Sequence, residues 1–145
     1  MAEFSVELYF DKSVTRAELA TRISALPELK VESEKSYWSG PVHMVFHELG
    51  VERVRGRLDT DFCVDVGVYS YKEEPGQKMI EVLLALLAPG DDALAVCDFS
   101  DIALSQRGGQ LTIDSSDAVF GDHDRAYFQE RRACQFAPLG RMSDR

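Results

Sequence analysis

The 145-residue chain reads as an α+β protein. The expected architecture is a single domain, residues 1–145, with a mostly antiparallel sheet and two principal helices packed on it, in the order β-α-β-β-β-α-β-β-β. Three observations carry this reading. The opening FSVELYF alternates strictly between apolar and polar positions. Two later stretches change to helical spacing, each bounded by start and stop residues. A run of short β-rich segments, ALAVC, DIALSQ and QLTID, closes with a Gly-Gly pair that favours a hairpin.

In chain order, Phe4, Val6, Leu8 and Phe10 share one face of a half-buried strand over residues 4–10. Thr15 stands three residues before Glu18, the spacing of a capping box, and Leu19, Ile23 and Leu26 follow at helical intervals. A helix over 16–26, stopped by Pro27, is therefore expected. A short strand follows near 29–33, then a polar bend through Gly40-Pro41, then a second alternation in Val42, Met44 and Phe46. The path of residues 47–61 fits either a helical turn or an extended excursion, with Gly50 and Gly56 favouring bends.

The stretch DFCVDVGVYSYK, residues 61–72, reads as a central strand. It sets Phe62, Val64, Val66 and Val68 on one side and Cys63, Asp65, Gly67, Tyr69 and Tyr71 on the other. Pro75 suits the first turn of the next helix, whose apolar stripe of Met79, Val82, Leu83, Leu86 and Leu87 runs to the Pro89-Gly90 stop. Strands near 93–97, 101–106 and 110–114 complete the sheet, joined by turns at Asp98–Asp101 and Arg107–Gln110. Beyond them a short C-terminal helix is expected around 124–133, followed by a polar end that frays.

Bulk properties narrow the function. The net charge of −9 argues against nonspecific nucleic-acid binding, which rests on Lys and Arg neutralising phosphates. Residues 1–122 hold 22 acidic and 11 Lys or Arg side chains, while 123–145 hold 3 and 5, so the tail is a separate electrostatic region. The longest apolar run, Val82 to Ala88, is too short for a membrane span, and no basic start with an apolar block marks a secretory signal. Three widely spaced cysteines exclude CxxC chemistry. A soluble cytoplasmic protein without a cofactor is the expectation.

The candidate chemical motifs mostly dissolve on inspection. His43 and His47 stand four apart with Glu48 adjacent, but a metalloprotease motif needs its glutamate directly after the first histidine, where Met44 stands. On a strand the two histidines lie about 13 Å apart, too far to share a metal. Asp98 and Asp101 resemble an acid–base pair but also suit a four-residue bend, since Asp side chains bond the backbone of turns. Trp38, beside Tyr37 in the loop SYWSGP, is either an interface anchor or a lid folded back on the core.

With these segments placed, the chain resembles one family, the small immunity proteins of the Sit toxin systems, which protect bacteria against contact-delivered toxins from their kin. The likeness is carried by FSVELYFDKSVTRAEL, KMIEVLLALLAPGDDALAVCDF and IALSQRGGQLTID, with the Glu-Leu-Gly at 48–50 fitting the family's middle. It implies a family-like core over 1–114 with a C-terminal extension over 115–145, and no catalytic residues. The chain departs from the family in GVERVRGRLDTDFCVDVGVYSYK, which is about ten residues longer, and in the tail after Asp114.

The expected function is stoichiometric binding and neutralisation of a cognate toxin. The acidity suits a basic toxin, because complementary potentials speed association and fix register. The candidate contacts are Asp65, Tyr69 and Tyr71 on the central strand, the loop aromatics Tyr37 and Trp38, and the turn acids Asp98 and Asp101. A rival reading is a small enzyme or ligand-binding domain with a pocket around Tyr69 and Tyr71. A third is a scaffold self-associating through exposed strand edges.

Overall fold

The computed structural model describes residues 4–48, 58–69, 75–97 and 101–142. The N-terminal strand β1 (Phe4–Phe10) lies in the middle of a nine-stranded sheet. On one side it pairs with β5 (Phe62–Val68), followed outward by β4 (Val42–Glu48), β3 (Ser36–Ser39) and β2 (Leu29–Val31). On the other side lie β6 (Ala93–Cys97), β7 (Asp101–Arg107), β8 (Gln110–Asp114) and β9 (Gln135–Ala137). Every pairing is antiparallel except β8 with β9. The α+β class thus stands, with nine strands among the described residues where seven were expected.

Three helices, α1 (Arg16–Ser24), α2 (Pro75–Leu86) and α3 (Asp122–Arg131), supply the second layer. Their side of the sheet is apolar because alternate strand positions are: Val6, Leu8 and Phe10 of β1, Met44 and Phe46 of β4, and Val64, Val66 and Val68 of β5 are all buried. The expected capping box is present, with Thr15 accepting from the Glu18 backbone N–H and Glu18 accepting from the Thr15 N–H. α1 is two residues shorter than its apolar pattern suggested, yet Leu26 still packs into the core.

Two tight hairpins set the register. Gly108 and Gly109 join β7 to β8 with φ of +55° and +82°, as a turn needing two positive values demands. Gly40 (φ +54°) and Pro41 join β3 to β4, pairing Ser39 with Val42 and Trp38 with His43. SYWS is therefore a strand and not the loop its polar ends suggested, and its alternation separates the two aromatics. Tyr37 turns toward the helix layer, where it meets Phe46 edge-on, while Trp38 turns to the opposite face.

The C-terminal end of α2 is the best-bonded place in the fold. The last turn of a helix leaves carbonyls without internal partners. Here Arg22 of α1 donates to Leu86 O, Arg132 just past α3 donates to Leu84 O and Leu87 O, and Gln106 of β7 donates to Ala88 O and Asp91 O. Arg22 also pairs with the mostly buried Asp91, which in turn accepts from the Ala88 N–H. Both arginines also place positive charge at the negative end of the helix dipole.

The tail belongs to this body. Tyr127 and Phe128 of α3 are buried, Phe128 meets Phe120 edge-on, and Phe120 meets Phe4 of β1. The expected fraying end instead forms β9, and residues 139–142 continue along the start of β7, where Ile102 N–H donates to Gly140 O and Asp101 bridges Arg141. Leu139 and Met142 pack on Leu58, Leu94, Val96 and Ile102, covering this half of the sheet face away from the helices. Residues 49–57 and the ends of the sequence-read segments at 70–74 and 98–100 lie outside the described residues.

Phe128→Ala is expected to cost about 3 kcal/mol, roughly 10 °C in Tm, in one cooperative transition, because it opens a cavity beside Phe120 in the core. Two separate transitions on heating, or a loss below about 1 kcal/mol, would show that the tail is not part of the core.

Candidate functional site

The face of the sheet away from the helices is divided. The tail covers it over β6 and β7, whereas over β3, β4, β5 and β1 it carries aromatic, histidine and carboxylate side chains. Strand register decides which. Trp38 pairs with His43, His43 with Gly67 and Gly67 with Ser5, so these four form one row across the strands. The next row runs Val45, Asp65, Glu7.

In the first row the Trp38 indole stacks on the His43 ring, with centroids 4.4 Å apart and planes 19° apart. Tyr69, just past β5 and 36% exposed, tilts against Trp38 at 5.3 Å and meets His43 edge-on at 6.0 Å. Because Gly67 contributes no side chain, the row dips between Ser5 and His43 into a depression of about 270 Å³. Its walls are Ser5, His43, Val45, His47, Asp65 and Tyr69.

Glu32, in the turn between β2 and β3, anchors the aromatic end. Its carboxylate accepts from the Ser36 hydroxyl at 2.8 Å and lies 3.2 Å from His43 Nε2, itself 2.7 Å from Ser36 Oγ. The Ser36 hydroxyl foremost, then the Trp38 indole N–H, with a smaller contribution from His43, hold the Glu32 carboxyl below the usual carboxylate range. Serine, histidine and glutamate here have the composition of a hydrolytic triad but not its wiring. A triad sets the acid on Nδ1 and the hydroxyl on Nε2, whereas here both converge on Nε2 and the hydroxyl proton goes to the acid. The triangle locks the His43 ring under Trp38.

Asp65 sits at the other end, directly opposite Glu7 across the β1–β5 pair, a like-charge arrangement that weakens a sheet. Glu7 accepts from the Tyr9 hydroxyl, and His47 Nε2 lies 3.9 Å from Asp65. Partial burial raises the Asp65 carboxyl above its usual range, against the opposing pull of His47 and His43.

Of the residues singled out in the sequence, Trp38, Asp65 and Tyr69 come together. Tyr37 does not, because it faces the helix layer. Asp101 does not either: it opens β7, three strands or about 14 Å from β5, and its carboxylate lies 3.9 Å from Arg141 in the tail. Tyr71 and Asp98 lie outside the described residues. Sequence reading missed Glu32 and Ser36 as parts of this face, and it rejected His43 and His47 as a metal pair without bringing them to Trp38 and Tyr69. Treating Gly40-Pro41 as a two-residue turn would have paired Trp38 with His43 by counting. A larger cavity of about 410 Å³ is lined by Lys12, Arg16, Glu48 and Asp61, with Arg16 on Glu48 and Lys12 on Asp59, each at 3.7 Å. Among the described residues no three His, Cys, Asp or Glu side chains gather as metal ligands.

No family model, curated protein or solved structure matches the chain. Among the described residues no helix is long and apolar enough to cross a membrane.

A proton bound to Asp65 persists to higher pH in the folded chain than in the unfolded one, so the stability it lends is full at low pH and lost as pH rises through the raised value. Asp65→Asn is therefore expected to raise Tm at pH 7 by about 2 °C, by removing the charge facing Glu7. The gain should shrink as pH falls toward about 4, the unfolded carboxylate range. A Tm difference that stays constant across that span in scanning calorimetry would contradict this account of Asp65.

Proposed function

We propose that this chain is a cytoplasmic immunity protein that neutralises a cognate toxin by stoichiometric binding, and that the face built by Trp38, His43, Tyr69 and Asp65 is its contact surface. The observation carrying this reading is the aromatic stack left open on a rigid sheet, bordered by carboxylates. Trp and Tyr dominate binding hot spots because they give large contact area for little lost side-chain freedom. Three neighbouring strands, β3, β4 and β5, carry them, so little ordering is needed on binding. The resemblance of residues 3–114 to the Sit immunity proteins and the net charge of −9 point the same way, toward a basic partner.

A small-ligand or enzymatic role has one observation in its favour, the depression over Gly67. At about 270 Å³ it is below the roughly 300–1,000 Å³ of most ligand pockets, and of its two histidines His43 is tied to Ser36 and Glu32 while His47 lies 3.9 Å from Asp65. Binding of a protein surface suits a shallow, open dip better.

Co-expression with the product of the neighbouring reading frame tests the proposal. Rescue of growth and co-purification in a one-to-one complex are expected; failure of both would refute it. In the complex, Trp38→Ala and Tyr69→Ala should each weaken affinity at least about tenfold, and Asp101→Ala less than about threefold, by titration calorimetry. Equal losses at all three positions would move the contact surface elsewhere.

A further inference from the structure

We infer that the depression over Gly67 receives a single arginine side chain of the partner protein, its guanidinium held between the rings of His43 and Tyr69 and the carboxylate of Asp65. The inference rests on the reading of this face as the partner-binding surface and specifies what the partner presents to it.

The backbone makes room for such a side chain. Gly67 stands between Ser5 and His43 in the same cross-strand row, so the position where a side chain would fill the face is vacant. The space left is one side chain in scale and open to solvent on the side a partner would approach.

The charges select a cation. Asp65 and Glu7 oppose each other across the central pair. Like charges so placed repel, and a positive group above them turns that repulsion into attraction. Burial has already removed part of the water around Asp65. An incoming cation therefore has less solvent to displace there.

The walls select arginine over lysine. His43 is fixed flat under Trp38, and Tyr69 presents its ring at an angle to both. A guanidinium is planar, weakly hydrated, stacks on aromatic faces and meets a carboxylate through two parallel N–H donors. An ammonium is a compact, strongly hydrated point charge that gains less from such walls.

The test uses the whole chain, isotopically labelled, and the capped tripeptide acetyl-Gly-Arg-Gly-amide, followed by NMR. The expected result is saturable movement of the Ser5, Val45 and Gly67 amides and the Trp38 indole. The matching lysine peptide should bind at least about threefold more weakly, and the neutral citrulline peptide should leave these signals unmoved. Asp65→Asn, which removes one of two facing charges and should fold, is expected to weaken arginine binding at least about fivefold. Gly67→Ala, which fills the floor without altering charge, should do the same.

Equal binding of the citrulline peptide, unchanged binding by both variants, or no saturable movement at these positions would overturn the inference. So would a free chain that sediments as a dimer and becomes monomeric on Trp38→Ala, since a second copy would then occupy the face. Protection of cells without arginine capture would remove this inference and leave the immunity reading standing. Arginine capture without protection or co-purification would do the reverse.

Discussion

The end of α2 is the joint on which the other elements depend. Arg22, Arg132 and Gln106 come from α1, the segment after α3, and β7, and all donate to carbonyls between Leu84 and Asp91. Helix packing alone tolerates sliding, because apolar contact is nondirectional. Hydrogen bonds to particular carbonyls fix the rotation and depth of α2 instead. Since α2 packs on the inner sides of β4 and β5, this fixes the strands whose outer sides carry His43, Asp65 and Gly67.

The two sheet faces obey different rules. On the helix side, alternation, burial and propensity agree position by position. On the open side they conflict: two carboxylates oppose each other, an indole and a phenol are left partly exposed, and a glycine interrupts a central strand that would be more stable with a branched residue. Local rules are broken most often where a protein binds something. The exceptions here fall within the four neighbouring strands β3, β4, β5 and β1, on one side of the sheet. Glu32 and Ser36 belong to the same arrangement, because without them the His43 ring would be free to turn away from Trp38.

Much of the fold was legible from local chemistry. Thr15 and Glu18 announced α1, Pro75 opened α2, Gly108-Gly109 gave a hairpin, and the two faces of FCVDVGV were correctly separated. The failures share a cause. SYWS has no apolar alternation, and as a strand it is stabilised by partners on both sides, Leu29–Val31 and Val42–Val45. QFA is three residues long and becomes a strand only by lying parallel to β8, after α3 has carried the chain back. Such elements exist through long-range pairing, which short windows of sequence do not contain. The site was half legible for the same reason. Asp65, Tyr69 and Trp38 stand out by residue type, whereas Glu32, Ser36 and Gly67 matter only through where register places them.

The tail has a consequence for the shape of the open face. Three strands of seven residues and one of four, about 4.8 Å apart, make a bare area of roughly 400 Å², about half of the ~800 Å² each partner commonly contributes to a stable interface. One margin of that area is the ridge of Leu139 and Met142. That ridge is held from both sides, since Leu139 N–H donates to the buried Asp114 and Ile102 N–H donates to Gly140 O. The height of the face is thus set by the chain's last strand-like segment on one side and by the row of Trp38, His43 and Gly67 on the other.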